Sequence, residues 1–221
     1  MKVIVFGATG MVGQGVLREC LIDPAVDAVL VVGRAPTGLD NPRLRELVLQ
    51  DFLDFSRVES DLSGYDACFF CLGISSVGMT EAVYRRVTHD MALAAARTLV
   101  KLNPSMTFVF VSGAGADSSG NGSVMWARVK GDTENALLAL PFKAVYVFRP
   151  AFIQPMHGVK SKTTLYNAAY AIGAPIYPLL KRLAPRYVTT TEQMGRAMLG
   201  VVEHGAPVRV LENGDINAVA R

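Results

Sequence analysis

Val3-Ile-Val-Phe6, followed at once by Gly7-Ala-Thr-Gly10-Met-Val-Gly13 and by a helical pattern that runs from Met11 to Leu21, is the stretch that decides the fold of this chain. An apolar run of four is a buried strand, and three glycines between a strand and a helix form a backbone cradle for a pyrophosphate. Gly7 permits the tight exit from the strand. Gly10 lets the main chain approach phosphates without a Cβ in the way, and Gly13 lets the helix pack closely. The helix N-terminus then faces an anion with free N–H donors, so Thr9, Met11 and Val12 join the glycines as candidate contacts. No Gly-Lys-Ser/Thr follows the glycines, which excludes a nucleotide-hydrolase loop.

Working outward, apolar strand-length runs alternate with helix-period segments to the end of the chain. That alternation argues for a doubly wound α/β fold of the Rossmann type, a parallel sheet covered on both faces. The expected strands are 3–6, 28–32, 47–50, 67–71, 107–111, 144–148 and a short last one at 208–211. Helices are expected near 11–22, 80–102, 123–139 and 191–204, the long one with Val83, Val87, Met91, Ala95 and Leu99 as its core stripe. Thr190-Thr-Glu-Gln193 has the spacing of a capping box and starts the helix after it. Two stretches break the rhythm: 113–123, rich in Gly, Ser and Asn, and 150–187, punctuated by prolines. Both follow strands that end at the carboxyl edge of the sheet, where such sheets place their ligands, so 150–187 reads as an irregular substrate-side or lid segment of a single domain covering 1–221.

At 221 residues and 51% hydrophobic content the chain can bury one substantial core, and a second full domain would be cramped. A net charge of +3, dispersed along the sequence, does not indicate a nucleic-acid binder. The late apolar stretch 165–180 is interrupted by Asn167, Gly173, Pro175 and Pro178 and is not expected to span a bilayer. Three cysteines suit a reducing compartment, and with a strand beginning at Lys2 in place of a secretory segment the expected location is cytoplasmic. Cys68-Phe-Phe-Cys71 lies in a strand, where a separation of three residues is roughly 10 Å and turns the two side chains to opposite faces, so neither a disulfide nor a metal role is expected there. His89, His157 and His204 match no ligand spacing.

The end of the second strand reads Val31-Val32-Gly33-Arg34. An NAD-preferring site carries a carboxylate there for the ribose hydroxyls; this chain has none, and Arg34 is placed to clamp a 2′-phosphate. NADP(H) is favoured over NAD. Asp51 and Phe52, after the third strand, are candidates for the adenine. Cys71-Leu72-Gly73, closing the fourth, could lie against the adenosine ribose and the pyrophosphate.

Taken together, Gly-Ala-Thr-Gly-Met-Val-Gly at 7–13, Gly33-Arg34, Cys71-Leu-Gly73, Val111-Ser112, Val129-Lys-Gly131, Phe148-Arg-Pro150 and Thr191-Glu-Gln-Met-Gly195 make a chain that resembles the atypical short-chain dehydrogenases/reductases over nearly its whole length. It is most similar to their NAD(P)H-binding, epimerase-like branch with the Tat-interacting-protein oxidoreductases. The resemblance implies NADP at the glycine loop, with Pro150 beside it. It also implies a catalytic Ser and a Tyr-x-x-x-Lys pair, which fall on Ser112, Trp126 and Lys130. In such a trio the phenol passes a proton to or from the substrate oxygen, the ammonium lowers the phenol's pKa and holds the nicotinamide ribose, and the Ser hydroxyl orients the carbonyl. Here an indole stands where the phenol belongs, and an indole is a donor only.

Two readings follow. One is an oxidoreductase or epimerase-like enzyme acting on a small carbonyl or hydroxyl substrate, whose proton comes from Tyr166, Tyr170, His157 or a water on Ser112. The other is a catalytically silent NADP(H)-binding redox sensor or interaction module. Aromatic and aliphatic residues mixed with Lys160, Lys162, Lys181, Arg182 and Arg186 after Pro150 would suit an apolar pocket with a cationic rim or, equally, a solvated basic face. The expected partners are a nicotinamide dinucleotide and a small molecule, with no nucleic acid and no membrane; a homodimer is left open.

Overall fold

The structure, a computed structural model, describes residues 1–159 and 184–220. Its elements in chain order are β1 (Lys2–Phe6), α1 (Met11–Ile22), β2 (Ala28–Gly33), β3 (Leu44–Val48), β4 (Ala67–Phe70), α2 (Glu81–Arg85), α3 (Met91–Leu102), β5 (Thr107–Val111), α4 (Met125–Leu138), β6 (Ala144–Arg149), β7 (Phe152–Gln154), β8 (Val188–Thr190), α5 (Thr191–Glu203), β9 (Val210–Glu212) and α6 (Asn213–Val219). Seven strands form one parallel sheet in the order β3-β2-β1-β4-β5-β6-β9. The chain winds outward from β1 to β3 and then crosses to β4 on the other side of β1. That reversal opens a crevice between the carboxyl ends of β1 and β4, the place where a doubly wound sheet binds its ligand.

Strand periodicity explains why both faces are buried. Val3 and Val5 of β1 point into a core with Val16, Leu17 and Cys20 of α1 and Met194, Met198 and Val201 of α5. Ile4 and Phe6 point into the opposite core with Phe52, Phe55, Leu62 and, from α3, Ala92, Ala96 and Leu99. The second core is aromatic. Phe6 packs on Phe70 with ring centroids 5.2 Å apart, and edge-on to Phe52 at 6.1 Å. Cys68 belongs to this face and Cys71 packs against the other, the alternation expected of the strand.

Several boundaries differ from the sequence reading. The third strand spans Leu44–Val48, earlier than 47–50, because Leu44 to Val48 pair in register with Val29 to Gly33; Asp51 and Phe52 therefore sit in the loop beyond the strand. The last strand is Val210–Glu212. In the long helical segment the turn Arg86–Asp90 is π-helical, and the inner face is carried by Tyr84, Thr88, Ala92, Ala95, Ala96 and Leu99, while Val83 is exposed. A strict four-residue spacing drifts around a helix of 3.6 residues per turn, and the widened turn shifts the phase again. The 150–187 segment is not wholly irregular: β7 pairs in parallel with β8, strands too short to leave a periodic signal. Residues 213–219 form a further helix, α6, behind a capping box between Glu212 and Asp215.

The crossing of α1 and α5 is fixed by glycines. A Cβ on Gly15 would stand 2.5 Å from the Thr191 Cβ, and one on Gly195 would stand 2.6 Å from the Glu19 Cγ. Glu19 is buried in the crossing and bonded to Arg18 at 2.5 Å and Arg196 at 3.3 Å. Gly15→Ala should therefore destabilise the fold by about 1–3 kcal/mol, the usual cost of overpacking. The check is a lower denaturant midpoint at unchanged m value; an unaltered midpoint would show that the helices can separate without loss.

Candidate functional site

The loop after β1 is built from close backbone approaches. Gly7 has φ +75°, and a Cβ there would lie 2.6 Å from the Leu72 nitrogen. A Cβ on Gly13 would lie 2.1 Å from the Gly7 carbonyl oxygen. Both glycines are demanded by the protein itself. Gly10 is different: its N–H donates to the Gly7 carbonyl at 2.9 Å, its φ of −83° is open to any residue, and a Cβ would meet only that carbonyl, at 3.2 Å. Its bareness serves the space in front of the loop. No side chain caps α1, and no acidic residue stands in its first turn, so its leading N–H groups are left to that space.

In front of the loop lies a cleft of about 710 Å³. Gly7, Thr9, Gly10, Met11 and Val12 line it on one side, and Arg34, Phe52, Cys71, Leu72, Gly73, Ser112, Lys130 and Pro150 complete much of its wall. Of the sequence-derived candidates, Gly13 stands behind the loop and Asp51 is outside the lining; Asp51 is exposed and accepts the Leu53 N–H at 2.9 Å. Arg34 is exposed, and its side chain makes no ion pair among the described residues. The loop it heads is fixed further on, where Thr37 donates its N–H and its hydroxyl to Glu46 at 2.7 and 2.5 Å. Cys71 is held in its protonated form because burial pushes its thiol up to about 12.

At the other end, Ser112 follows β5 and Lys130 projects from α4. The Ser112 hydroxyl donates to Glu134, one helical turn beyond Lys130. Glu134 is completely buried and also takes hydrogen bonds from Arg149, including both Nε contacts at 3.1 Å, and from the Ser118 hydroxyl at 3.3 Å. Arg149 reaches on to Glu212 at 3.2 Å. Lys130 has a different environment: its Nζ lies 3.5 Å from the Val111 carbonyl oxygen and 5.9 Å from the centre of the Phe110 ring. Burial lowers its pKa to about 8, against the opposing pull of Glu134.

Trp126 does not line the cleft. Its ring lies over Gly115, where a Cβ would be 3.6 Å from the Trp126 Cη2. His157 is also outside the lining; it has φ 56° and its Nε2 pairs with Glu192 at 3.0 Å. Tyr166, Tyr170 and the basic residues from Lys160 to Arg182 lie outside the described residues, while Arg186 is exposed. Sequence reasoning missed Glu134 altogether. A carboxylate in mid-helix reads as solvated, and the signal lay in pairing it with Arg149 of the Phe148-Arg-Pro150 motif, 15 residues away.

The fold around this cleft is the one seen in short-chain dehydrogenases/reductases and nucleotide-sugar epimerases of known structure. WbmF of Bordetella bronchiseptica in complex with NAD+ superposes with a TM-score of 0.69 at 16% identity, over 98% of this chain and 76% of that one. A UDP-N-acetylglucosamine 4-epimerase from Methanobrevibacter ruminantium gives 0.68 at 16% identity, over 95% and 74%. In sequence, the chain is similar to protein HTATIP2 of Rattus norvegicus, 29% identical over 155 residues, which are 69% of this chain and 62% of that protein. It is similar along its whole length to the mitochondrial protein FMP52 of Eremothecium gossypii, 26% identical over 100% of this chain and 98% of that one. No family model matches the chain. The resemblance to atypical short-chain dehydrogenases/reductases stands on these relatives. The cytoplasmic expectation does not: the FMP52 relatives from several fungi are named as mitochondrial proteins. Unpaired thiols exclude a disulfide scaffold and do not distinguish one reducing compartment from another.

The buried cluster makes a stability prediction. Glu134→Ala leaves the Arg149 guanidinium without its main partner and should cost about 3–5 kcal/mol, whereas Glu134→Leu combined with Arg149→Met should cost much less. Chemical denaturation of the three proteins checks this; a double variant as unstable as the single one would mean that packing, not charge, is what the cluster supplies.

Proposed function

We propose that the chain is an NADP(H)-binding oxidoreductase or epimerase-like protein that acts on a small carbonyl or hydroxyl substrate. The observation that carries this reading is one continuous cleft with an uncapped helix N-terminus and a bare Gly10 at one end, and Ser112 and Lys130 at the other. The first end fits a pyrophosphate, whose oxygens would accept from the free N–H groups of Met11 and Val12 and lie against the backbone of Gly7, Thr9 and the bare Gly10, with Gly13 holding the helix in place. Arg34 would meet a 2′-phosphate, Phe52, with Asp51 beside it, would border the adenine, and Cys71-Leu72-Gly73 would lie along the ribose. Lys130 and Pro150 would hold the nicotinamide half. A bound dinucleotide supplies hydride transfer; the chain's own residues position the substrate and handle its proton. The complexes of WbmF with NAD+ and of DesIV from Streptomyces venezuelae with NAD support a dinucleotide in a fold of this kind. The 150–187 segment is the substrate-side part of what we treat as one domain, with Ile153 in the cleft wall.

A second reading, a silent NADP(H)-binding sensor or interaction module, is favoured by Trp126, which removes the usual phenol from the reacting end. Direct binding combined with turnover separates the two.

Arg34→Ala should weaken NADPH binding by about 1.5 kcal/mol or more and leave NADH nearly unchanged, as expected for one charge-assisted hydrogen bond at an exposed site. Titration calorimetry with both cofactors decides; equal losses would remove the 2′-phosphate assignment. Gly10→Val should abolish binding of either cofactor while the thermal midpoint of the free protein moves by only a few degrees. A variant that no longer folds would show that Gly10 serves the turn and would take away the main support for the cofactor.

A further inference from the structure

Resting on that reading of the cleft, we infer that Lys130 itself carries the proton at the reacting end, in place of the phenol this chain lacks, while Glu134 holds Ser112 as a hydrogen-bond acceptor. Among the described lining residues only Arg34, Cys71 and Lys130 have titratable side chains other than hydroxyls. Arg34 follows β2, three strands from β5 in the sheet order and thus about 14 Å away across the sheet. Cys71 stays a thiol. The single proton of Ser112 is already donated to Glu134, so toward the cleft its oxygen offers lone pairs only. Trp126 lies over Gly115 and away from the lining.

Lys130 is built differently from an ordinary ribose-holding cation. Its Nζ lies between Val111 and Gly113, on either side of Ser112, against a carbonyl and an aromatic face, and among the described residues no carboxylate is within 4.0 Å of it. Among the described residues the charge that acts on it is that of Glu134. On its own helix Glu134 faces it, but that carboxylate is occupied by Arg149 from β6, which is bound in turn to Glu212 at the end of β9. From β5 come only the Val111 carbonyl and the Phe110 ring, and from β4 the neutral Cys71. Burial then brings the ammonium down to about 8, where it can lose and regain a proton near neutrality.

When a substrate carbonyl carbon accepts a hydride, the reductant being a reduced nicotinamide dinucleotide, the π pair moves to oxygen. That oxygen forms an O–H bond as an N–H bond at Lys130 Nζ breaks, and the neutral amine regains a proton from water. The resulting hydroxyl is matched to its surroundings, because it can donate to the Ser112 oxygen while the reprotonated Lys130 donates to it.

Three measurements test this. Competitive acylation of the wild-type protein with acetic anhydride from pH 6 to 11, followed by mass spectrometry of the Lys130 peptide, should give a midpoint near 8, while exposed lysines titrate at about 10.4. Lys130→Arg keeps a cation but cannot release its proton, so reduction of a panel of small aldehydes at saturating NADPH should fall by about 100-fold or more. Wild-type reduction should decline as pH rises through about 8, since the ammonium is the reacting form, and alcohol oxidation should rise over the same range. A Lys130 midpoint above 10, or an Arg variant that turns over within tenfold of wild type, overturns the inference and directs the search to Tyr166, Tyr170 and His157. Wild-type protein that binds NADPH but turns over no aldehyde or alcohol overturns it too. Wild-type protein that binds no dinucleotide fails the cofactor reading itself, a separate result.

Discussion

How closely α1 can approach the loop before it is the constraint on which the rest of the structure depends. With a Cβ on Gly13 2.1 Å from the Gly7 carbonyl oxygen, the first turn of the helix would have to back away, and the bond from the Gly10 N–H to that carbonyl would go with it. The displacement would not stop at the loop. Gly15, half a turn further on, lets α1 lie against Thr191 at the start of α5. The Thr191 hydroxyl accepts the Met156 N–H at 3.1 Å. One strand earlier, β8 pairs with β7 and so places Ile153 in the cleft wall. A single backbone contact thus sets both the anion-facing end of α1 and, through a second glycine, the position of the opposite wall.

The two ends of the cleft are solvated differently, and their residues work differently for that reason. Arg34 stands exposed just after β2, where its attraction for any anion is screened by salt. At the other end Ser112 and Glu134 are buried. A buried carboxylate there is tolerable only if fully partnered, and Glu134 is, by Arg149, Ser112 and Ser118. The consequence reaches Lys130. Glu134, one turn along the helix, pulls the Lys130 ammonium toward its charged form, and desolvation outweighs that pull. Arg149 is the partner that makes this buried carboxylate tolerable, and the same carboxylate accepts the hydrogen bond of the Ser112 hydroxyl. The Glu134–Arg149 ion pair, on the same face of α4 as Lys130, therefore sets the hydrogen-bonding sense of Ser112 in the cleft.

Much of the architecture was legible because it rests on local signals. The β1 run, the glycine spacing, the seven sheet strands and the helix starting at Thr191 each follow from composition and period, and β5 was placed to the residue. The losses have physical causes. Pairing partners on β2, not the apolar run 47–50, set the bounds of β3, and with them the distance of Asp51 from the cleft. Strands of three residues carry no period, so β7 and β8 passed as loop. In the site, residues that act through backbone or stand alone in the motif were readable: Gly7, Gly10, Arg34, Ser112 and Lys130 all face one cleft. Glu134 was not, because its burial depends on a guanidinium delivered by another strand, and only tertiary packing brings the two together. Gly131 shows how strict that packing is: a Cβ there would lie 1.9 Å from the Asp117 carbonyl oxygen, so the loop after β5 rests directly on the helix beside Lys130. The loop in turn supplies Ser118 to the cluster and Gly115 as the seat of Trp126. Removal of the indole from the cleft and completion of the Glu134 cluster are thus two effects of the same contact between loop and helix.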